Sequence, residues 1–189
     1  MKKGQILEGM VSRMAFPTKG SVEVDGREII VKNAIPDQKI SFALSKVRKG
    51  KCEGRLLEVV EPAKMELDSP SCVHFGICGG CLYQNLTYKD QIACKEDQIR
   101  RLLAPVLAAD GKEFDRLFEG IRERPRQQGY RNKMEFSFGD SCKDGPLALG
   151  MHKRGSFYDI VNVESCRIVE EDYRRLLTCV RELFAENGI

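Results

Sequence analysis

The residues with the clearest capacity for chemistry stand in one short run, Cys72-Val-His-Phe-Gly-Ile-Cys78-Gly-Gly-Cys81. Three thiols at C-x5-C-x2-C spacing can converge on one centre. The two glycines between the last pair let the backbone turn closely and leave amide N–H groups free to point at sulfur. An all-thiolate donor set suits zinc or an iron–sulfur cluster, because soft ligands select those metals. Three unrelated reduced cysteines are the bland alternative, and a glycine-interrupted run of this kind is a poor way to fill a core. A fourth position is open to His74 within the run, to Cys94, or to Cys166 in the segment VESCRIV. At about 100° per residue Cys94 points away from Ile92, toward the solvent side of a helix. Spacing alone does not select Cys166.

Basic residues form the second pattern. Lys46 to Arg55 (KVRKGKCEGR) carries five positive charges against one negative, with Lys46, Arg48, Lys49 and Lys51 at its centre. Arg122 to Lys133 (RERPRQQGYRNK) again sets five against one, and interleaves Tyr130 and three side-chain amides with Arg126, Arg131 and Lys133. A smaller group, HKRGSFY, holds Lys153 and Arg154. Cations neutralise phosphates and an aromatic ring can stack on a splayed base, so these clusters are candidate RNA contacts; a merely solvated face is the competing reading for each. Tyr130 shares the parity of Met134, Phe136 and Phe138, so its ring is also a candidate core residue.

Composition bounds what these groups can do. The chain has 189 residues, 42% hydrophobic and 31% charged, a soluble globular balance. Lys plus Arg number 31 against 28 acidic residues, so the net charge of +3 makes any nucleic-acid binding a matter of local clusters. No apolar stretch approaches the roughly 18–20 residues of a membrane helix, and the basic start MKKGQILEGM has no apolar region behind it. A cytoplasmic protein is expected. Eight cysteines in a reducing compartment favour metal or redox use over disulfides.

The elements that must position these residues can be read from periodicity. ILEGMVS, SVEV, REIIVKN, KISFALSKV and EGRLLEVV read as five short strands, separated by turn signals at Pro17-Thr18-Lys19-Gly20, Asp25-Gly26, Pro36-Asp37 and Lys49-Gly50. Five short strands in so little chain suggest a small closed barrel, followed by a linker from Glu61-Pro62 to Ser69-Pro70. Thr87 with Asp90 opens a helix that carries Ile92, Ile99, Leu102, Leu103 and Val106 on one face and runs to about Pro105. Residues 130–139 alternate as a half-buried strand, with LALGMH and FYDIVNV as partners. A last helix begins with Glu170, Glu171 and Asp172, and its apolar stripe is Tyr173, Leu176, Leu177, Val180, Leu183 and Phe184. The fold class expected is mainly β with α (α+β). No strand–GxGxxG–helix unit is present, so no dinucleotide- or S-adenosylmethionine-type Rossmann domain is read here.

Over essentially the whole chain these residues resemble the N-terminal part of the bacterial RNA (uracil-5-)-methyltransferases, which make 5-methyluridine in 23S ribosomal RNA or transfer RNA. Residues 1–61 are similar to the TRAM domain, an OB-like RNA-binding barrel. CVHFGICGGCLYQNLTYKDQ is similar to the family's cluster-binding signature, within a linker and cysteine-rich loop at 62–84. QGYRNKMEFSFG and LALGMHKRGSFYDIVNVESC are similar to its central RNA-binding domain, which 85–189 represents in part. The resemblance implies that Cys72, Cys78, Cys81 and Cys166 hold a 4Fe–4S cluster, zinc being the alternative, and it prefers Cys166 over Cys94. It also implies RNA as partner, 23S ribosomal RNA ahead of transfer RNA, for a monomer with no affinity for DNA or membranes.

The methyl transfer of that family uses a cysteine nucleophile, a general base and S-adenosylmethionine, all in a C-terminal domain that this sequence does not match. Cys142 and Cys166 are not followed by the Asn-Pro that marks the family's catalytic cysteine. No catalytic or S-adenosylmethionine-binding residue is therefore carried over, and the chain is expected to be inactive alone. A stand-alone zinc- or cluster-stabilised RNA-binding module is the alternative function.

Overall fold

The computed structural model describes residues 1–48 and 50–188, so Lys49 of the first basic cluster lies outside the described residues. Five strands open the chain: β1 (Ile6–Ala15), β2 (Lys19–Val24), β3 (Arg27–Lys32), β4 (Lys39–Arg48) and β5 (Lys51–Glu61). They form the closed, OB-like barrel expected, in the order β1-β2-β3-β5-β4. Closure uses antiparallel pairing of β1 with β4 and parallel pairing of β3 with β5. The hairpin between β2 and β3 turns at Asp25 and Gly26, both at positive φ (51° and 69°), the combination a two-residue type I′ turn requires. Inside, Val11, Val22, Ile29, Val31, Ile40, Phe42, Leu44 and Cys52 make a continuous buried core. Gly54 is needed on β5 because a Cβ there would stand 2.7 Å from the Phe42 ring.

The rest comprises α1 (Tyr88–Ala109), α2 (Phe114–Leu117), β6 (Ser137–Asp140), β7 (Leu147–His152), β8 (Ile160–Asn162) and α3 (Glu171–Glu186). The architecture is mainly β with few helices. Among the described residues no helix is long and apolar enough to cross a membrane.

Two compact units result, and their boundaries differ from those expected at 61 and 84. Residues 89–121 belong with the barrel, while 67–88 belong with 122–189. The reason is packing that sequence order does not encode. In the first unit the side chain of Gln98, buried on α1, donates to the Pro17 carbonyl (3.4 Å). Phe114 of α2 is buried and stacks on Phe118, with the Arg100 guanidinium over the Phe114 ring, 4.7 Å from its centroid.

Expectations for three elements need correction. Helix α1 does not stop at Pro105 but continues through it to Ala109; a proline removes one backbone donor without forbidding the following turn. Its expected apolar face is largely outside, since Leu102, Leu103 and Val106 are exposed while Gln98 is buried. The strand expected over 130–139 is confined to Ser137–Asp140. Upstream of it, Gly129 and Arg131 donate their amides to the carbonyls of Arg167 and Ile168, so this stretch pairs with the segment leading into α3. On α3 the stripe divides. Leu177 and Val180 pack against Leu149 and Val163, and Phe184 meets Phe138 with ring centroids 4.8 Å apart. Tyr173, Leu176 and Leu183 are exposed.

Candidate functional site

The second unit brings the cysteines together. Cys72, Cys78, Cys81 and Cys166 line one hollow, with His74, Phe75, Gln84, Met134, Met151, Val163 and Ile168 completing its wall. The space between atoms there is about 360 Å³, part of it open to solvent. Cys72 is buried and the other three are half-buried. Burial pushes the thiols of Cys78 and Cys81 above the ordinary cysteine range, and the neighbouring cysteines push in the same direction. Four sulfurs gathered in an apolar hollow repel one another as thiolates unless a cation lies among them.

Local structure explains how the run reaches this arrangement. Residues 72–78 are wound by the amides of Phe75 and Cys78, which donate to the carbonyls of Cys72 and His74. The Gly80 amide then points at the Cys78 sulfur (3.3 Å), and Gln84 Nε2 approaches the Cys81 sulfur (3.8 Å), so protein N–H groups face sulfur as the glycine spacing implies. Gly79 serves a different purpose. Its amide donates to the His152 carbonyl (2.9 Å), and a Cβ at Gly79 would stand 3.0 Å from that same oxygen. The cysteine loop is thereby stitched to the end of β7, with Cys78 bridging Lys153 and the Arg154 amide donating to the Ile77 carbonyl (2.6 Å).

His74 is a wall residue with a use of its own: its Nε2 accepts the Ser165 amide (3.4 Å), which fixes the segment that presents Cys166. No sequence signal distinguished this role from that of a ligand. Cys94 lies in the first unit, half-buried on α1, and does not line the hollow. Cys52 fills the barrel core, and Cys142 and Cys179 are exposed.

Whether the residues fit a metal group can be judged from the donors. Among the described residues no three His, Cys, Asp or Glu side chains are drawn around a single point where one metal ion would sit. A tetrahedral zinc, with Zn–S near 2.3 Å, brings its four sulfurs to about 3.8 Å of one another. A four-iron cluster gives each thiolate its own iron and leaves the sulfurs wider apart. Four thiols around one hollow, faced by N–H donors, are a soft donor set that suits a thiolate-bound metal group.

The basic residues are less uniform than their sequence suggests. On the barrel, Arg48 and Lys51 are exposed and face each other across the β4–β5 turn, while Lys46 pairs with Glu53 (3.2 Å). In the second unit Arg131 is exposed, Arg126 pairs with Glu170 (3.0 Å), and Lys133 pairs with Glu135 (3.1 Å). Such exposed pairs contribute little to stability and open readily to a phosphate. Tyr130 is half-exposed, and the Arg124 guanidinium lies over its ring at 3.3 Å, which occupies one of the two faces a base could use. A larger cleft beside the start of α3, with about 820 Å³ of space between atoms, part of it open to solvent, is lined by Arg126, Arg167 and Arg174 together with Glu170, Glu171 and Asp172, so it favours neither sign of charge.

Arg154 is a correction. Its guanidinium does not face outward to a phosphate; it donates to the Cys81 carbonyl (2.5 Å) and lies over the Phe75 ring at 5.4 Å. Burial lowers its affinity for the proton, and Cys78 and Cys81 favour its charged form. It is the cation placed beside the thiols. Arg154→Gln is expected to destabilise the second unit by about 1.5–3 kcal/mol, as losing a charged hydrogen bond does, and to leave the salt dependence of RNA binding unaltered. Urea unfolding followed by circular dichroism checks the first part and RNA titration the second.

Comparison with other proteins finds relatives along the whole of this chain. No protein-family model matches the chain. An uncharacterized RNA methyltransferase of Caldanaerobacter subterraneus subsp. tengcongensis is 40% identical over 179 residues, 94% of this chain and 38% of that protein. Another, from Clostridium acetobutylicum, is 37% identical over 191 residues, covering 100% of this chain and 40% of its relative. Along its own length the chain is similar to these RNA methyltransferases. It spans about two-fifths of the length of the curated relatives it matches (38–40%). In fold, the chain is similar to the crystal structure of Pyrococcus abyssi tRNA (uracil-54, C5)-methyltransferase bound to S-adenosyl-L-homocysteine. The TM-score is 0.66 at 20% identity, over 96% of this chain and 37% of the other.

Proposed function

We propose that this chain is the RNA-recognising, cluster-carrying portion of an S-adenosylmethionine-dependent RNA (uracil-5-)-methyltransferase of the cytoplasm. The observation that carries this reading is the convergence of Cys72, Cys78, Cys81 and Cys166 on one hollow, in a chain related to RNA methyltransferases throughout its length. In this reading the four cysteines hold a 4Fe–4S cluster. A bound cluster, its iron–sulfide core net positive, would offset part of the thiolate charge and cross-link the loop at 72–81 to the segment at 166. Gly80 and Gln84 direct N–H groups at the sulfurs, Arg154 balances their charge, and His74 holds Cys166 in position. S-adenosylmethionine and the residues that move the methyl group are assigned to the part of the relatives that this chain does not match.

The RNA partner is 23S ribosomal RNA in preference to transfer RNA, and the contacts run mainly through phosphates, from Arg48 and Lys51 on the barrel and from Arg126, Arg131 and Lys133 in the second unit. A fluorescence-anisotropy titration of the cluster-loaded chain with a uridine-bearing RNA hairpin tests this. Affinity is expected to fall linearly with salt on a log–log plot, and replacing Arg131 and Lys133 by glutamine should flatten that slope by about one unit per lost contact. Competition by an unmodified transfer RNA transcript as effective as that by the ribosomal hairpin would remove the preference. Affinity indifferent to salt would remove the RNA reading itself.

A further inference from the structure

Among the described residues the most exposed large hydrophobic side chains on the second unit are two neighbouring aromatics, Phe157 and Tyr158, exposed at 80% and 82%. They occupy the tip between β7 and β8, where the sequence pattern drew attention to Lys153 and Arg154 rather than to the rings. The tip is built. The Lys153 amide donates to the Asp159 carbonyl (2.8 Å) to close its base, and the Ser156 amide donates to the Lys153 carbonyl (3.0 Å). The Ser156 hydroxyl receives the amides of Tyr158 and Asp159 (3.4 and 3.2 Å), and Gly155 takes a positive φ of 78°. The Phe157 and Tyr158 rings meet edge to face with centroids 5.4 Å apart, and the His152 ring lies 6.2 Å from that of Phe157. The base of the tip is the part stitched to Cys78, Gly79 and Ile77.

We propose that Phe157 and Tyr158 form a base-stacking site for single-stranded RNA, presented by a hairpin whose base the cysteine loop fixes. The inference rests on the RNA-binding reading above and adds to it the mode of contact. Two large aromatic rings held in water by an ordered backbone lose hydrophobic stabilisation that core placement would supply, and a ring offers every nucleobase a sequence-tolerant stacking surface. The tip itself has almost no free charge, since Arg154 is turned to the cysteine loop and Lys153 pairs with Asp159 (3.5 Å). Binding there is therefore a matter of stacking, separate from the phosphate contacts of Arg131 and Lys133. In a partner that must expose a base for modification, an unstacked nucleotide is available.

The test uses the full cluster-loaded chain with decauridylate and with a blunt RNA duplex as probes. Phe157→Ala and Tyr158→Ala are expected each to weaken decauridylate binding about 5- to 150-fold for a ring that stacks, with the salt slope unchanged. Phe157→Trp and Tyr158→Phe should retain it, and the blunt duplex should be bound equally by all. Unaltered iron content and circular dichroism establish that the exposed substitutions leave the unit folded. If the parent chain binds decauridylate with a steep salt slope and the double alanine variant binds as tightly, the stacking site is overturned and the RNA reading stands. A parent chain that binds neither probe overturns both. A loss of affinity accompanied by a flatter slope would assign the tip to phosphate contact and overturn stacking.

Discussion

Protein prepared without oxygen is expected to hold about four irons per chain with broad absorbance on the order of 400 nm, and the Cys166→Ser variant is expected to lose both. Cys166 is the one member of the set that comes from outside the 72–81 loop, and it packs among Leu149, Val163 and Leu177. Replacing its thiolate by a hard hydroxyl leaves the Ser165 amide–His74 hydrogen bond to tie the loop to this segment. In the chain-entropy description a cross-link spanning so many residues contributes about 4 kcal/mol, so the second unit should also melt well below the parent. Cys94→Ser should retain iron, since Cys94 lies in the other unit. Because burial holds the Cys78 and Cys81 thiols in their protonated form, loading must release protons and should weaken as the pH falls. Iron analysis, visible absorbance and thermal unfolding measure all of this. One zinc per chain in colourless protein would replace the iron assignment; retained iron in Cys166→Ser would remove the fourth ligand.

Gly150→Ala should be the most damaging substitution away from the cysteines. Gly150 sits on β7, the middle strand of the β6-β7-β8 sheet, opposite Ser137 on one side and Asn162 on the other. A Cβ there would lie 2.0 Å from the Val161 carbonyl oxygen and 3.2 Å from the Asn162 Cα. Both are backbone, so no side chain can swing aside and β8 must move. A cost of about 3 kcal/mol or more is expected, at or above the upper end of ordinary overpacking. Displacing β8 also displaces Val163 and the segment leading to Cys166, so iron content should drop with stability. Gly155→Ala is the control: it shares the need for a backbone change, at φ 78°, but its Cβ would meet nothing within 4 Å. It should cost about 1 kcal/mol. Urea titration of the three proteins separates the two mechanisms, and equal stability of Gly150→Ala and the parent would show that β7 and β8 are not so closely paired.

The exposed apolar residues on the helices show where periodicity stops being informative. Leu102, Leu103 and Val106 of α1 and Tyr173, Leu176 and Leu183 of α3 satisfy a helical repeat and still face water. A moment along one helix says which residues share a face; it does not say which face the neighbouring elements cover. Gln98 makes the same point in reverse, a polar residue buried because a carbonyl at Pro17 is there to accept from it.

The sequence by itself determined what depends on neighbours along the chain. The five barrel strands follow from two-residue alternation and from Asp25-Gly26, whose positive φ values few other pairs adopt cheaply. The Cys72–Cys78–Cys81 run and its glycines are legible because a tight loop around sulfur needs small residues at those positions. Tertiary structure alone decided the rest. It gave His74 to the Ser165 amide, joined 89–121 to the barrel, turned Arg154 inward to the Cys81 carbonyl and left Phe157 and Tyr158 in solvent. Each of these depends on which backbone carbonyls, strand ends and apolar surfaces arrive from distant parts of the chain, and no local pattern of residue types records that arrival.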